Sequence, residues 1–135
     1  MMRYAFLASL ALAVGCWTSP APSNFPPARA PAGVQALLET QSGTQVVGEL
    51  LEVRDSAYVV LFSNRVTIVP YLALRHAEFP HQDWGQFGSY TRPSAGTRDR
   101  LRWYSRFPFG VNDTALATLL HASGQTTPDI VASNP

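Results

Sequence analysis

Short apolar runs separated by turn-forming residues dominate the middle of the chain, residues 34–79. Their apolar positions follow the two-residue period of strands, and Gly, Asn, Asp and Ser cluster between the runs. Alternation in the second run puts Val47, Glu49, Leu51 and Val53 on one face, and Gly48 indicates a bend or bulge. The pattern predicts five strands, over residues 34–40, 45–54, 57–63, 66–69 and 75–79.

Pro70 has no backbone donor and ends the fourth strand, and residues 71–74 are predicted to form one short turn. Five short strands, tight turns and a bent second strand are typical of a small closed barrel. The chain is therefore expected to be mainly β, with a small five-stranded barrel at residues 34–79.

The C-terminal part changes to a helical pattern. Asn112 is a suitable N-cap, Asp113 places negative charge in the first turn, and Gly124 supplies a left-handed stop. Three leucines at helical spacing form one apolar face, and Val111 pairs with the first of them as a hydrophobic staple: Leu116, Leu119 and Leu120. So short a helix is marginal alone and needs a surface to cover. Residues 125–135 are predicted to be a frayed, flexible tail.

An irregular segment rich in aromatic residues and arginine lies between the strands and this helix. Residues 91–97 have the turn-rich composition of an exposed loop. Residues 98–106 alternate as a sixth strand would, with Arg98, Arg100, Arg102 and Tyr104 on one side. We expect residues 80–124, including the C-terminal helix, to pack on the barrel.

The first residues of the chain carry an export pattern. Arg3 precedes an uncharged apolar run over residues 4–14, which ends in a small residue and Cys16, the only cysteine. The run is too short for a stable membrane-spanning anchor and has the layout of a secretory signal peptide. Residues 1–15 are therefore predicted to be a signal peptide.

Ala13-Val-Gly-Cys16 resembles the lipobox of bacterial lipoproteins. The resemblance implies that the preceding peptide is removed and that Cys16 carries the acyl chains, such as palmitate, that hold the protein on the membrane. Ala13 stands where leucine is most common in that family. The alternative is an ordinary export signal, which leaves Cys16 as a single thiol that has no disulfide partner in an oxidising compartment.

Residues 16–33 join this cysteine to the first strand. The segment contains five prolines and no acidic residue, lacks apolar periodicity and favours polyproline II. At about 3.1 Å per residue it spans up to roughly 50 Å. A lipidated cysteine followed by a Pro-rich tether is the organisation we expect here, in preference to a Pro-rich peptide ligand.

Charge and cysteine content narrow the function classes. The basic residues are all arginine, and without Arg3 nine arginines face nine acidic residues. This neutrality argues against nucleic-acid binding, which gains affinity by neutralising phosphates. A single cysteine allows no intramolecular disulfide, so stability must come from a packed core.

Part of the strand region resembles the first motif of Sm-like barrels. The matching stretches are Leu38-Glu-Thr-Gln-Ser-Gly43, Val47-Gly-Glu-Leu50 and Val53-Arg-Asp55, followed by an apolar strand, and the turn near Pro70 fits the same fold. SH3-like barrels share much of this pattern. The RNA-binding residues of the Sm-like family are missing: Val59 stands where the family has asparagine, and Ile68-Val-Pro70 where it has an Arg-Gly pair. The resemblance implies a fold without the family's usual ligand.

The sequence contains no clear catalytic or metal-binding motif. His76, Glu78, His81 and Asp83 collect in eight residues, but Pro80 separates them and no known zinc spacing is present. The chain has no nucleophile elbow, P-loop or dinucleotide fingerprint. We expect neither an enzyme nor a cofactor, and a metal or hydrolytic site at these histidines is a distant alternative.

The arginine and aromatic segment is the best candidate for binding a partner. Arginine, tryptophan and tyrosine are enriched at protein interfaces, and the residues expected to contact a partner are Trp84, Arg102, Trp103, Tyr104 and Arg106. The sequence thus predicts a lipoprotein of the bacterial cell envelope, on the inner or outer membrane, that acts as a non-enzymatic interaction or structural module. An alternative is a barrel that binds an anionic glycan or lipid through Arg98, Arg100, Arg102 and Arg106.

Overall fold

The computed structural model describes residues 32–80, 89–106 and 110–133. Within these ranges the chain forms six strands, a 3-10 helix and two α-helices. In chain order they are β1 (Gln35–Thr40), β2 (Gln45–Val53), β3 (Ala57–Phe62), β4 (Arg65–Pro70), the 3-10 helix (Tyr71–Ala73), β5 (Leu74–Glu78), α1 (Ala95–Tyr104), α2 (Asp113–Ala122) and β6 (Asp129–Ile130).

The strands form one sheet in the order β5-β1-β2-β3-β4-β6. Neighbouring strands from β5 to β4 are antiparallel, whereas β6 adds to β4 in parallel. The prediction of a mainly β fold is confirmed. The closed five-stranded barrel is not, because the sheet is open: β4 pairs with β6 on its outer side and not with β5.

The sheet is strongly curved. In a flat sheet, β5 and β3 would lie about 14 Å apart, because β1 and β2 stand between them and neighbouring strands are spaced by about 4.8 Å. Phe79, just after β5, nevertheless contacts Tyr58 of β3 edge to face, with ring centroids 5.4 Å apart. The curl therefore brings one edge of the sheet over its centre.

A bulge in β2 accounts for part of this bend. The pairing with β3 shifts between Leu50 and Glu52. This bulge begins two residues after Gly48, the position at which the sequence indicated a bend or bulge. The extra residue reverses the alternation, so Leu51 faces one core and Val53 the other. The prediction that Val53 shares a face with Val47, Glu49 and Leu51 is therefore wrong. Gly48 serves a close approach instead, because a Cβ there would lie 2.2 Å from the carbonyl oxygen of Leu61.

The two faces of the sheet carry separate cores. The inner core holds side chains from β1 to β5, the aromatic residues near the 3-10 helix, and Leu101 of α1. The smaller outer core contains Leu51, Val59 and Val66, over which the leucines of α2 pack. Each helix thus covers one face of the sheet.

The 3-10 helix connects the two ends of the curved sheet. Tyr71 N–H donates to the carbonyl of Ser56 in the β2–β3 turn, and Gln41 N–H in the β1–β2 turn donates to the carbonyl of Ala73. The short turn predicted at residues 71–74 is confirmed, and β5 begins and ends one residue before the predicted strand.

Residues 95–104 are helical, so the strand predicted at 98–106 is wrong, and the loop predicted at 91–97 extends only to Ser94. Ser94 is the N-cap and accepts a hydrogen bond from the Thr97 N–H, and Thr97 and Leu101, four residues apart, are the buried positions of α1. The fold therefore has two helices in the described residues, where the sequence predicted one helix and an irregular segment.

The C-terminal helix is confirmed, and residues 129–130 of the predicted tail form a strand. The Asn112 side chain accepts from the Ala115 N–H, and Gly124 closes α2 at φ +68°. Beyond it the chain continues as β6, which pairs with β4. The sixth strand thus lies at residues 129–130, outside the segment in which it was expected.

Candidate interaction surface

Helix α1 presents arginines to the sheet at every fourth position. Leu101 is buried in the inner core, and this anchor fixes which side of the helix meets the sheet. Arg98 and Arg102 lie one turn apart on α1, and Arg106 follows just after its end. The helical spacing therefore replaces the strand-like alternation suggested by the sequence.

The first two of these arginines share one carboxylate. Asp55, in the β2–β3 turn, lies 3.1 Å from Arg102 Nη2 and 3.7 Å from Arg98 Nε. Arg102 also donates to the carbonyl of Val53 at 3.1 Å and to Asp99, one turn earlier on α1, at 2.5 Å. The guanidinium of Arg102 thus joins α1 to the end of β2.

Arg106 forms the most enclosed ion pair on this surface. Its Nε and Nη2 donate to the two carboxylate oxygens of Glu49, each at 2.8 Å. The hydrogen bonding of the guanidinium to this carboxylate is the main reason that the pKa of Arg106 is raised above its ordinary value. Glu49 also accepts the backbone N–H of Gly33 at 2.8 Å. One carboxylate therefore holds both the end of α1 and the start of the folded domain.

Backbone hydrogen bonds complete this junction. Val34 N–H donates to the carbonyl of Tyr104 at 2.8 Å, and Leu50 N–H donates to the carbonyl of Val34. Arg106 N–H donates to the carbonyl of Leu50 at 3.0 Å. A Cβ at Gly33 would lie 1.9 Å from the Leu50 carbonyl oxygen, so only glycine fits there. We call Gly33, Val34, Glu49, Tyr104 and Arg106 the entry clasp.

The residues predicted to contact a partner have different surroundings. Trp103 is 63% exposed on the outer side of α1. Tyr104 is half-buried, and Arg102 and Arg106 direct their guanidinium groups to carboxylates. Trp84 lies outside the described residues. Four of the five positions are thus close in the chain at one end of α1, with Trp103 the most exposed of them.

The arginines of the alternative anion-binding prediction are largely neutralised in place. Arg98 and Arg102 face Asp55, and Arg106 faces Glu49. Arg100 is the exposed member of the set, three positions before Trp103 on α1. These contacts make Arg98, Arg102 and Arg106 part of the packing between α1 and the sheet.

The histidine cluster is represented by a single pair. His76 Nε2 lies 3.5 Å from Glu78 Oε2 on β5, with both side chains exposed. His81 and Asp83 lie outside the described residues. Across residues 32–80, 89–106 and 110–133, no group of three or more His, Cys, Asp or Glu side chains is placed to hold a metal ion.

An aromatic cluster fills the inner end of the sheet. Tyr58 packs edge to face on Tyr71 and Phe79, and Phe79 packs in the same way on Tyr90. Tyr58 Oη donates to the Tyr90 carbonyl, and Tyr71 Oη donates to that of Arg54. Burial raises the pKa of Tyr71 to about 12 and also raises that of Tyr58. These phenols are therefore protonated hydrogen-bond donors at neutral pH.

Several residues that organise this surface were not singled out from the sequence. Glu49 pairs with Arg106, which lies 57 positions later in the chain, and Asp55 pairs with Arg102, which lies 47 positions later. The spacing of Arg98, Arg102 and Arg106 is a helical signal that could have indicated a common face. Their carboxylate partners carry no local signal.

These features define a small domain made of a curved, open sheet with one helix on each face. No known protein family, curated protein or solved structure matches the chain. Among the residues that the structure describes, no helix is both long enough and apolar enough to cross a membrane.

Proposed function

We propose that the protein is a lipoprotein of the bacterial cell envelope, held on a membrane by acyl chains on Cys16. The observation that carries the proposal is the order of Arg3, the uncharged apolar run, and Ala13-Val-Gly-Cys16, which resembles a lipobox. More than one acyl chain makes such anchoring stable, at about 0.8 kcal/mol per buried methylene. The Pro-rich segment after Cys16 then acts as the tether of the domain, up to Gly33, where the entry clasp begins.

The folded domain acts in this proposal as a non-enzymatic interaction or structural module. Its partner is an envelope protein that docks on the exposed side of α1 around Trp103. Support comes from the 63% exposure of this indole, because a large aromatic side chain on a rigid helix is a typical anchor of protein interfaces. Arg102 and Arg106 support the surface from beneath, since their carboxylate pairs hold α1 on the sheet.

The finer part of the fold prediction also belongs to this proposal. We regard β1 to β5 as an opened variant of the small barrels that the Sm-like and SH3-like families form. Five consecutive antiparallel strands, the bulged β2 and the 3-10 helix after Pro70 are the features that favour this relation. Val59 and Ile68-Val-Pro70 differ from the Sm-like RNA-binding pattern, so RNA is not the proposed ligand.

Binding of an anionic glycan or lipid is the second candidate. The observation that favours it is the exposed pair of Arg100 and Trp103, one helical turn apart on α1. A cation beside an indole suits both sugar stacking and anionic head groups. Arg98, Arg102 and Arg106 lie against carboxylates where α1 meets the sheet, so this candidate uses the exposed side of α1.

Metabolic labelling with a fatty acid tests the anchor. The full chain is expressed in a bacterial host, and the label is expected on the wild type and on Ser19→Ala, which leaves the lipobox unchanged. Cys16→Ser is expected to lose the label and to leave the membrane fraction. A chain that never takes up the label, or a Cys16→Ser variant that keeps it, contradicts the proposal.

Co-purification from detergent-solubilised membranes tests the surface. Trp103→Ala is compared with Leu72→Ala, which removes an apolar side chain of similar exposure, 63% against 61%, from the 3-10 helix. The proposal expects a defined envelope protein in stoichiometric amount with the wild type and Leu72→Ala, and its loss with Trp103→Ala. Equal recovery with both variants argues against docking at Trp103. Recovery of an anionic glycan or lipid in place of a protein, and its loss when Arg100 is substituted, supports the second candidate.

A further inference from the structure

The entry clasp, together with Leu50, joins three segments of the chain in a closed ring of backbone hydrogen bonds. The carbonyl of Tyr104 accepts the N–H of Val34 at 2.8 Å, and the carbonyl of Val34 accepts the N–H of Leu50 at 2.8 Å. The carbonyl of Leu50 in turn accepts the N–H of Arg106 at 3.0 Å, two residues after Tyr104, which closes the ring. The start of the domain is therefore bonded directly to the end of α1.

A carboxylate braces this ring from one side. Glu49 accepts the N–H of Gly33 and two donors of the Arg106 guanidinium, each at 2.8 Å. The body of α1, by comparison, buries only Thr97 and Leu101. The end of α1 next to Trp103 is thus tied to the start of the domain both by main chain and by an ion pair.

The function proposed above places two attachment points at this junction. The tether enters the domain at Gly33, and a partner docks on α1 at Trp103, one residue before Tyr104. A pull between these points stretches the bond from Val34 to Tyr104 and the bonds on both sides of the Glu49 carboxylate. The pairings of β3 with β4 and of β1 with β5 lie outside the path that these contacts define.

We propose that the entry clasp is a mechanical link that carries tension between the lipid-anchored tether and the docking helix α1. The inference rests on the proposed anchor at Cys16 and on docking at Trp103, and it adds a form of regulation to that surface. While the clasp is closed, tension on the tether reaches α1 without passing through the sheet. When the clasp opens, the end of α1 loses its backbone bonds and its ion pair, and the surface around Trp103 is no longer held in place.

Pulling on single molecules in two attachment geometries tests the link without lipid or partner. The full chain is synthesised in a cell-free system without membranes, which leaves Cys16, the only cysteine, free for one handle. The second handle is attached at Trp103→Cys, across the clasp, or at Leu72→Cys, a position of similar exposure on the 3-10 helix, 63% against 61%. The rate of opening under constant load is measured, because forced opening is governed by the unfolding rate.

Arg106→Met is expected to raise the opening rate about tenfold in the Trp103→Cys geometry and less than about threefold in the Leu72→Cys geometry. The reason is that only the first geometry places the two-bond ion pair between the handles. The control is Arg65→Met, which removes an exposed pair of the same geometry with Asp129. It is expected to leave both rates within about twofold of those of the unsubstituted chain.

Equal acceleration by Arg106→Met in both geometries would assign this residue to general stability and overturns the proposal. An unchanged rate in the Trp103→Cys geometry overturns it as well. If Arg106→Met does not fold, as judged by circular dichroism, Arg106→Lys takes its place, since it keeps the charge and loses the two-bond geometry. Failure of the anchor is a separate result, because it removes the fatty-acid label and leaves these rates as they are.

Discussion

The ion pair between Glu49 and Arg106 offers the sharpest test of how this domain is held together. It joins β2 to the end of α1, and the same carboxylate accepts the N–H of Gly33. Glu49→Gln keeps the shape of the side chain but removes its charge and turns an amide N–H2 toward a guanidinium. Arg106→Met keeps much of the stem and removes the guanidinium. Both single variants leave a half-buried polar group with a poorer partner.

The size of the effect follows from burial and geometry. The Arg106 and Glu49 side chains are 26% and 20% exposed, and both hydrogen bonds measure 2.8 Å. Breaking a fully buried pair costs about 3–5 kcal/mol, whereas an exposed pair contributes about 0–1 kcal/mol. We therefore expect each single substitution to lower the free energy of unfolding by about 2 kcal/mol. The coupling energy of the double-mutant cycle should be about 1–2 kcal/mol.

The matched control is the pair between Arg65 and Asp129. It has the same two-bond geometry, but its side chains are 49% and 45% exposed. The cycle of Arg65→Met and Asp129→Asn should give a coupling energy clearly smaller than that of the Glu49–Arg106 cycle, because water screens the exposed pair. Urea unfolding followed by circular dichroism measures both cycles. A coupling at Glu49–Arg106 no larger than that at Arg65–Asp129 would refute the inference that burial strengthens the entry clasp.

Three further predictions concern backbone space, pH and the buried amide. Gly48→Ala should lower the free energy of unfolding by at least about 2 kcal/mol, because the new Cβ would lie 2.2 Å from the Leu61 carbonyl oxygen. Gly96→Ala, with no atom within 4 Å of its Cβ inside α1, should raise it by about 0.5–1 kcal/mol; urea midpoints that move in the same direction contradict this. Burial raises the pKa of Tyr71 to about 12 from an ordinary 10, so its contribution is full below pH 10 and is lost as pH rises toward 12. Alkaline titration of Tyr71→Phe should show a shallower loss, and an unchanged slope would exclude this phenol as a cause. Gln125→Ala should cost about 1–3 kcal/mol in the same urea assay, since the buried side-chain amide of Gln125 pairs with both the backbone N–H and the carbonyl of Val66.

Local signals explain which elements could be predicted from the sequence. Helix α2 has a capping Asn112, a leucine face and a closing Gly124, all within thirteen residues of one another, and each is present in the structure. The first five strands could be predicted for the same reason, since their apolar runs and turns are short-range patterns. The prediction succeeded for these elements because the residues that define each of them also lie inside it.

The failures have the opposite character. Helix α1 buries little besides Leu101, so its apolar period is too sparse to outweigh the alternating arginines. Its position depends on Asp55 and Glu49, which lie far earlier in the chain. The bulge in β2 is defined by its register with β3 and not by Gly48 alone. The candidate site shares this limit, because Arg102 and Arg106 look available in the sequence and acquire partners only through the fold.

The C-terminal strand has a consequence for the order of folding. Gln125 lies 59 positions after Val66, the residue whose backbone it satisfies. During synthesis, β1 to β5 emerge before residues 125–131, and an incompletely folded chain exposes unpaired strand edges. The edge of β4 is therefore uncovered throughout this interval, and the nascent domain is most exposed to mispairing just before its last strand arrives. A chaperone that shields an open edge would act in this window and have no target afterwards.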